Sequence, residues 1–168
     1  MLCGDDFVRL LEAIAQVEDP EVPVTLKDLG VLQSVTQSER GVHVLLRATK
    51  IGCPGKSRMV SDIEAACANI NPEIQVDIKW DLSPWTPDDV SDFGRLALKD
   101  FGIVLNAPAE IKCPYCSSGN TAMLSDYGGS ICKVPFRCGS CGSIFDRLRS
   151  VETVQTISVR PKSSKKAC

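Results

Sequence analysis

Two Cys-x-x-Cys pairs, Cys113/Cys116 and Cys138/Cys141, constrain this chain more than any other feature. Their arrangement is C-x2-C-x21-C-x2-C. Each turn brings two thiolates to one metal and leaves backbone N–H groups free to bond the sulfurs. Two such knuckles close a tetrahedron with zinc–sulfur distances of about 2.3 Å. The intervening segment is polar and rich in Gly and Ser, too short to fold on an apolar core alone, so metal would supply much of its folding free energy. A thioredoxin-like redox pair needs a strand-to-helix setting, which is absent here. A cubane iron–sulfur cluster also takes four cysteines, and spacing alone leaves that open. The two symmetric knuckles favour one structural zinc per chain, in a ribbon whose strands come from Thr121 to Cys138.

Cys132 is a fifth thiol inside this segment, and a closed tetrahedron has no fifth position. It is either a small apolar residue packed in the ribbon or a second-site ligand that handles transfer. The whole chain has nine cysteines. An odd count fits a disulfide framework poorly, and paired Cys-x-x-Cys spacing in a reduced protein reads as metal binding, so a cytoplasmic location is expected. The N-terminus carries Asp5 and Asp6 where a secretory signal has basic residues. No run approaches the roughly 18 apolar residues of a membrane span, so no membrane partner is expected. The net charge of −2 argues against nucleic acid.

Upstream of the knuckles, apolar residues at 7, 8, 10, 11, 14 and 17 predict a helix. Prolines at 20 and 23 stop it. "VLQSVTQ" and "VHVLLRAT", split by "SERG", predict a hairpin. A helix follows over about Ser57 to Asn69, with Met59, Val60, Ile63, Ala66, Cys67 and Ile70 on its apolar face. "IQVDIKW" predicts a strand. A last helix is expected near Asp88–Phe101, with Asp88 and Asp89 favouring its dipole. The fold class is therefore α+β: a small layer of helices on a sheet over residues 5–104, then a zinc β-ribbon over 111–150. "IVLNAPAE" reads as the linker. Residues 151–168 read as a polar, basic tail without packed structure.

Cys53 is the other informative thiol, in "TKIGCPGKS" between a strand end and a helix start. A helix N-terminus, with Lys50 and Lys56 close by, is expected to lower its pKa, as suits a nucleophile or a metal ligand. The single histidine, His43, lies mid-strand and reads as an ordinary strand residue, so no protease-type base is at hand. Cys67 reads as core, and Cys3 and Cys168 as residues of frayed termini. "DPEVPVTLKDLG" reads as a rigid Asp19-Pro20-Glu21 turn followed by an Asp28 cap. Alternatively, Asp19, Glu21 and Asp28 face Cys53.

"DPEVPVTLKDLGVL", Thr49 with "GCP" (52–54), Pro84-Trp85 and "CPYC…SICKVPFRCGSC" together resemble the PaaD family, accessory proteins of phenylacetate degradation encoded with the multicomponent phenylacetyl-CoA epoxidase. The resemblance covers about Leu10 to Leu148. The N-terminal part is also similar to a broader family of iron–sulfur cluster assembly factors. That likeness implies a site where Asp19, Pro20, Glu21, Asp28, Leu29, Gly30, Thr49 and Cys53 converge. It further implies a non-enzymatic maturation factor that delivers an iron–sulfur cluster, or iron, to an oxygenase. The client would be an iron–sulfur reductase component, with Cys53 a transient ligand and Cys132 a second candidate; a homodimer sharing the ligand remains open. Rival readings are a non-catalytic structural or regulatory oxygenase subunit, an enzyme with a Cys53 nucleophile, and a zinc-ribbon nucleic-acid binder.

Overall fold

The computed structural model describes residues 4–50, 52–105 and 111–149. Helix α1 (Gly4–Ala15) turns Leu10 and Ile14 into the interior. Strands β1 (Leu32–Gln37) and β2 (Gly41–Arg47) form the expected antiparallel hairpin. Helix α2 (Lys56–Ala68) then crosses over, and β3 (Gln75–Asp81) returns parallel to β2. Parallel neighbours cannot be joined by a tight turn, so the crossover helix is obligatory. The stripe Met59, Ile63 and Cys67 on α2 is buried, with Val60, Ala66 and Ile70 half-buried beside it. On the sheet, Val42, Val44 and Leu46 point inward, while His43 faces solvent and bonds Asp77 at 2.9 Å.

The helix expected near Asp88–Phe101 begins later. Pro87–Asp89 is a separate 3₁₀ turn, Val90 is extended, and α3 spans Asp92–Asp100 behind Ser91. The Ser91 hydroxyl accepts from the Gly94 N–H at 3.0 Å, a side-chain N-cap. Asp89 does not serve the α3 dipole. Its carboxylate accepts from the Thr86 N–H at 2.7 Å and from Arg47 at 3.2 Å. Asp92 occupies the first-turn acidic position instead.

The second sheet holds β4 (Ile103–Val104), β5 (Thr121–Met123), β6 (Lys133–Cys138) and β7 (Ile144–Leu148), in the order β4-β7-β6-β5. β5, β6 and β7 are the antiparallel ribbon. β4 pairs parallel with β7, so Ile103 and Val104 are an edge strand of the ribbon sheet rather than the start of a linker. Ile103 packs in the first unit's core and Val104 in the ribbon's. The α+β class with a C-terminal ribbon holds. Cys3, Cys168 and the 151–168 tail lie outside the described residues.

Candidate metal centre and thiol site

The two knuckles have matching backbones. In the first, Ser117 N–H donates to Cys113 O and Cys113 N–H to Ser118 O, both at 2.9 Å. In the second, Gly142 N–H donates to Cys138 O at 3.0 Å and Cys138 N–H to Ser143 O at 2.9 Å. Each knuckle places the residue after its second cysteine in the left-handed region, Ser117 at φ 59° and Gly142 at φ 80°. Glycine takes that conformation without strain. The four sulfurs lie within 4.8 Å of one another, with Cys113–Cys141 at 3.7 Å and Cys116–Cys138 at 3.5 Å. Thiolates about 2.3 Å from one tetrahedral ion are about 3.8 Å apart, so the set fits a single zinc-sized ion. A cubane cluster interposes four irons and needs the sulfurs farther apart. The Ser143 hydroxyl and N–H hold Cys141 down to about 6, and N–H groups of Cys141 and Ser140 lower Cys138. Cys116 goes the other way: the Ser118 N–H lowers it, but the neighbouring sulfurs and burial outweigh that and carry it up to about 12. Sulfurs crowded this closely share protons that a metal displaces.

Cys132 is absent from this set. It is 5% exposed and packs into the core of the N-terminal unit, together with Leu148. Its thiol donates to Glu21 Oε2 at 2.7 Å and lies 3.0 Å from the Ser130 hydroxyl. Lys133 Nζ donates to the Glu21 carbonyl at 2.8 Å, and Lys50 Nζ to the Ile131 carbonyl at 3.2 Å. The 130–133 loop thus lies on the Asp-Pro-Glu turn and the Cys53 loop. Between them is a cavity of about 10 Å³, lined by Asp19, Glu21, Thr49, Cys53, Cys132 and Lys133 among others. That is room for about one water. Both open thiols therefore share one enclosed, acidic space.

Asp19 sets the turn by accepting from the Glu21 N–H at 2.8 Å. Burial pushes the Asp19 carboxyl up. Pro20 packs against Gly55, where a Cβ would come within 2.9 Å of Pro20 Cγ. Cys53 is 9% exposed, and its pKa moves opposite to the sequence expectation. Burial raises it, Glu21 and Asp19 add to the rise, and the Gly55 N–H and Lys56 only partly offset it. Lys56 spends its charge over the Trp80 ring at 4.6 Å. Cys132 is pushed up to about 12 by burial and by the Glu21 carboxylate.

Asp28 and Gly30 do not line the cavity. Asp28 accepts from the Thr25 hydroxyl at 2.7 Å and from Ser91 Oγ at 2.6 Å, bracing the loop against α3. Gly30 has φ 67°, and a Cβ there would overlap the Asp89 carbonyl oxygen. The Pro84-Trp85 turn has a similar role, since Trp85 Nε1 donates to Leu29 O at 2.7 Å. Sequence reasoning placed Lys50 near Cys53 but missed Lys133 and Ser130 as parts of the site. Only Lys133 carried a hint, as the partner of Cys132 in the motif.

Comparisons with known proteins agree with this division. Residues 8–78 match the model for the iron–sulfur cluster assembly protein family, and residues 103–149 match the PaaD zinc beta ribbon domain. An Escherichia coli (strain K12) protein, named as one of the subunits of a "Putative 1,2-phenylacetyl-CoA epoxidase", is 34% identical over 148 residues, covering 82% of this chain and 89% of that one. A Bacillus subtilis Fe-S protein maturation auxiliary factor, YitW, is 34% identical over 94 residues, 54% of this chain and 90% of its own. The crystal structure of a domain of unknown function, DUF59, from Bacillus anthracis superposes with a TM-score of 0.50 at 27% identity, covering 56% of this chain and 92% of that one. The shared order of an assembly-protein domain and a four-cysteine ribbon, over nearly the full length of the E. coli relative, shows that this chain belongs to the PaaD family.

Proposed function

We propose that this chain is a non-catalytic maturation factor that delivers an iron–sulfur cluster, or iron, to a multicomponent oxygenase such as phenylacetyl-CoA epoxidase. One observation carries the reading: the ribbon's spare thiol, Cys132, shares an enclosed cavity with Cys53 of the assembly-protein domain. Four cysteines hold a structural zinc, and Cys53 and Cys132 form an incomplete ligand set. Incomplete coordination suits cargo that must leave again. Asp19 and Glu21 shape the cavity, and Glu21 Oε2, at 2.7 Å from Cys132 Sγ, is placed to take the thiol proton as the sulfur binds iron. Among the described residues, the Cys53, Cys132, Asp19 and Glu21 ligand atoms do not gather into a set of three or more as the ribbon cysteines do. Cargo must bring ligands of its own or draw the 130–133 loop aside. Proteins named as Fe-S protein maturation auxiliary factors match about half of this chain, and the assembly-protein family model matches residues 8–78, which supports the general role.

The name of the E. coli relative supports a second reading, a non-catalytic component of the oxygenase itself. The burial of both thiols favours it too. The test is transfer from reconstituted protein to the apo form of an iron–sulfur reductase component of the oxygenase. The maturation reading expects the client's visible spectrum to appear with sub-stoichiometric factor, and the factor to be absent from the finished complex. A factor that transfers nothing and co-purifies one-to-one with the oxygenase is a component of it.

A further inference from the structure

A groove of about 300 Å³ opens where α3, β4 and the first zinc knuckle meet. Its walls carry Arg95 and Lys99, one turn apart on α3, and Lys112 on the approach to the knuckle. Its apolar surface is Ile103, Val104 and Leu105. Among the described residues, no Asp or Glu lines it, in a chain whose acids outnumber its lysines and arginines by 21 to 19. Lys99 and Lys112 are exposed and make no ion pair among the described residues. Arg95 donates to the Pro87 carbonyl oxygen, and among the described residues its one carboxylate neighbour is Asp88 at 3.6 Å, 99% exposed. The next strand adds one acid and one cation, since Asp146 pairs with Ile103 across the β4–β7 ladder. Arg147 pairs with Val104 across the β4–β7 ladder, is 6% exposed, and has an Nε without a hydrogen-bond partner. A buried guanidinium without a counter-charge is costly, and it adds positive potential close to Val104.

The surroundings are apolar and open. Leu96, beside Arg95, and Tyr115, whose hydroxyl meets Gly102, are both more than half exposed. β4 is the outermost strand of its sheet, so an extended chain entering the groove would run along a sheet edge. Three cations around an apolar surface match a ligand that presents carboxylates on both sides of an apolar side chain. A small inorganic anion would leave the apolar surface unused. Nucleic acid would meet the acidic balance of the whole chain.

We propose that this groove docks an acidic segment of a partner protein, an extended stretch in which Asp or Glu side chains flank an apolar anchor. The proposal stands apart from cluster delivery, since a maturation factor and an oxygenase component both need such a surface. The probe is a fluorescein-labelled Glu-Leu-Glu-Glu-Leu-Glu peptide, titrated into the zinc-loaded full chain and followed by anisotropy. Amide shifts are recorded in parallel. Saturable binding is expected, weakening as salt rises from about 50 to about 200 mM, with shifts at Ile103, Val104 and Leu105. The double reversal K99E/K112E should weaken binding about tenfold or more with zinc content unchanged. The reversal K27E/K79E, with the same charge change on exposed lysines outside the groove, should leave binding within about twofold. No saturation, equal losses in both double variants, or shifts elsewhere would overturn the proposal. So would an inert peptide while inorganic phosphate shifts the same amides, which would make the groove a small-anion site.

Discussion

Cys53 and Cys132 are the residues on which the account turns, and both are held as protonated thiols. Burial raises Cys53, and burial with the Glu21 carboxylate carries Cys132 up to about 12 from an ordinary 9.0. A folded-state pKa raised above the unfolded one stabilises the fold fully below the unfolded value. That contribution fades as pH climbs through the folded value, here from about 9 to about 12. Iodoacetamide at pH 8 should therefore label both thiols at least about tenfold more slowly in the native zinc-loaded chain than in urea. Labelling should quicken above pH 9, read by peptide mass spectrometry; rapid native labelling at pH 8 would contradict the geometry. Glu21→Gln removes the carboxylate that opposes ionisation, so Cys132 should label faster than wild type between about pH 9 and 10. The sequence placed Cys53 at a helix start and so predicted a lowered pKa. It could not show that a loop from residues 130–133, far along the chain, would cover the thiol, or that burial beside Asp19 and Glu21 would outweigh the helix start.

At the scale of elements, the hairpin, α2 and β3 were legible because their apolar periods are clean. The parallel return of β3 was not, since a strand pattern carries no direction. The start of α3 was misread because Asp88 and Asp89 suit any helical first turn, and the Ser91 cap that decides the start is one serine among many. Ser91 both caps α3 and donates to Asp28, so Ser91→Ala should cost about 1–2 kcal/mol in urea denaturation of the zinc-loaded chain. A variant as stable as wild type would show that the brace is dispensable. The far end of the first sheet has its own acid dependence. The Ser83 hydroxyl and N–H, with Arg47, hold the Asp81 carboxyl down to about 2. A lowered carboxyl contributes stability above about pH 4 and loses it as pH falls through about 2. Asp81→Asn should therefore lose less stability than wild type between pH 4 and pH 2.5, and equal losses would place the acid sensitivity elsewhere.

Across the whole molecule, the ribbon is a second unit fastened to the first. β4 sits in its sheet, Leu148 and Cys132 sit in the first unit's core, and Lys50 and Lys133 bridge the two with hydrogen bonds. Both units were legible from motif order and cysteine spacing. Their joint was not, because the residues that form it look like linker, ribbon core and loop lysines when read along the chain. Removing zinc should unfold the ribbon while the first unit keeps its helical circular dichroism. Without the ribbon's cover, Cys53 should then label several-fold faster at pH 8. Unchanged Cys53 reactivity after chelation would mean that the ribbon does not guard the thiol.

The most direct test of shared cargo binding is anaerobic iron, sulfide and zinc analysis after cluster reconstitution, on wild type, Cys53→Ser and Cys132→Ser. One zinc per chain in all three, with iron and sulfide bound by wild type and lost from each serine variant, is the predicted result. Zinc without iron or sulfide in wild type would contradict it, leaving Cys132 as packing and the protein as a structural partner of the oxygenase.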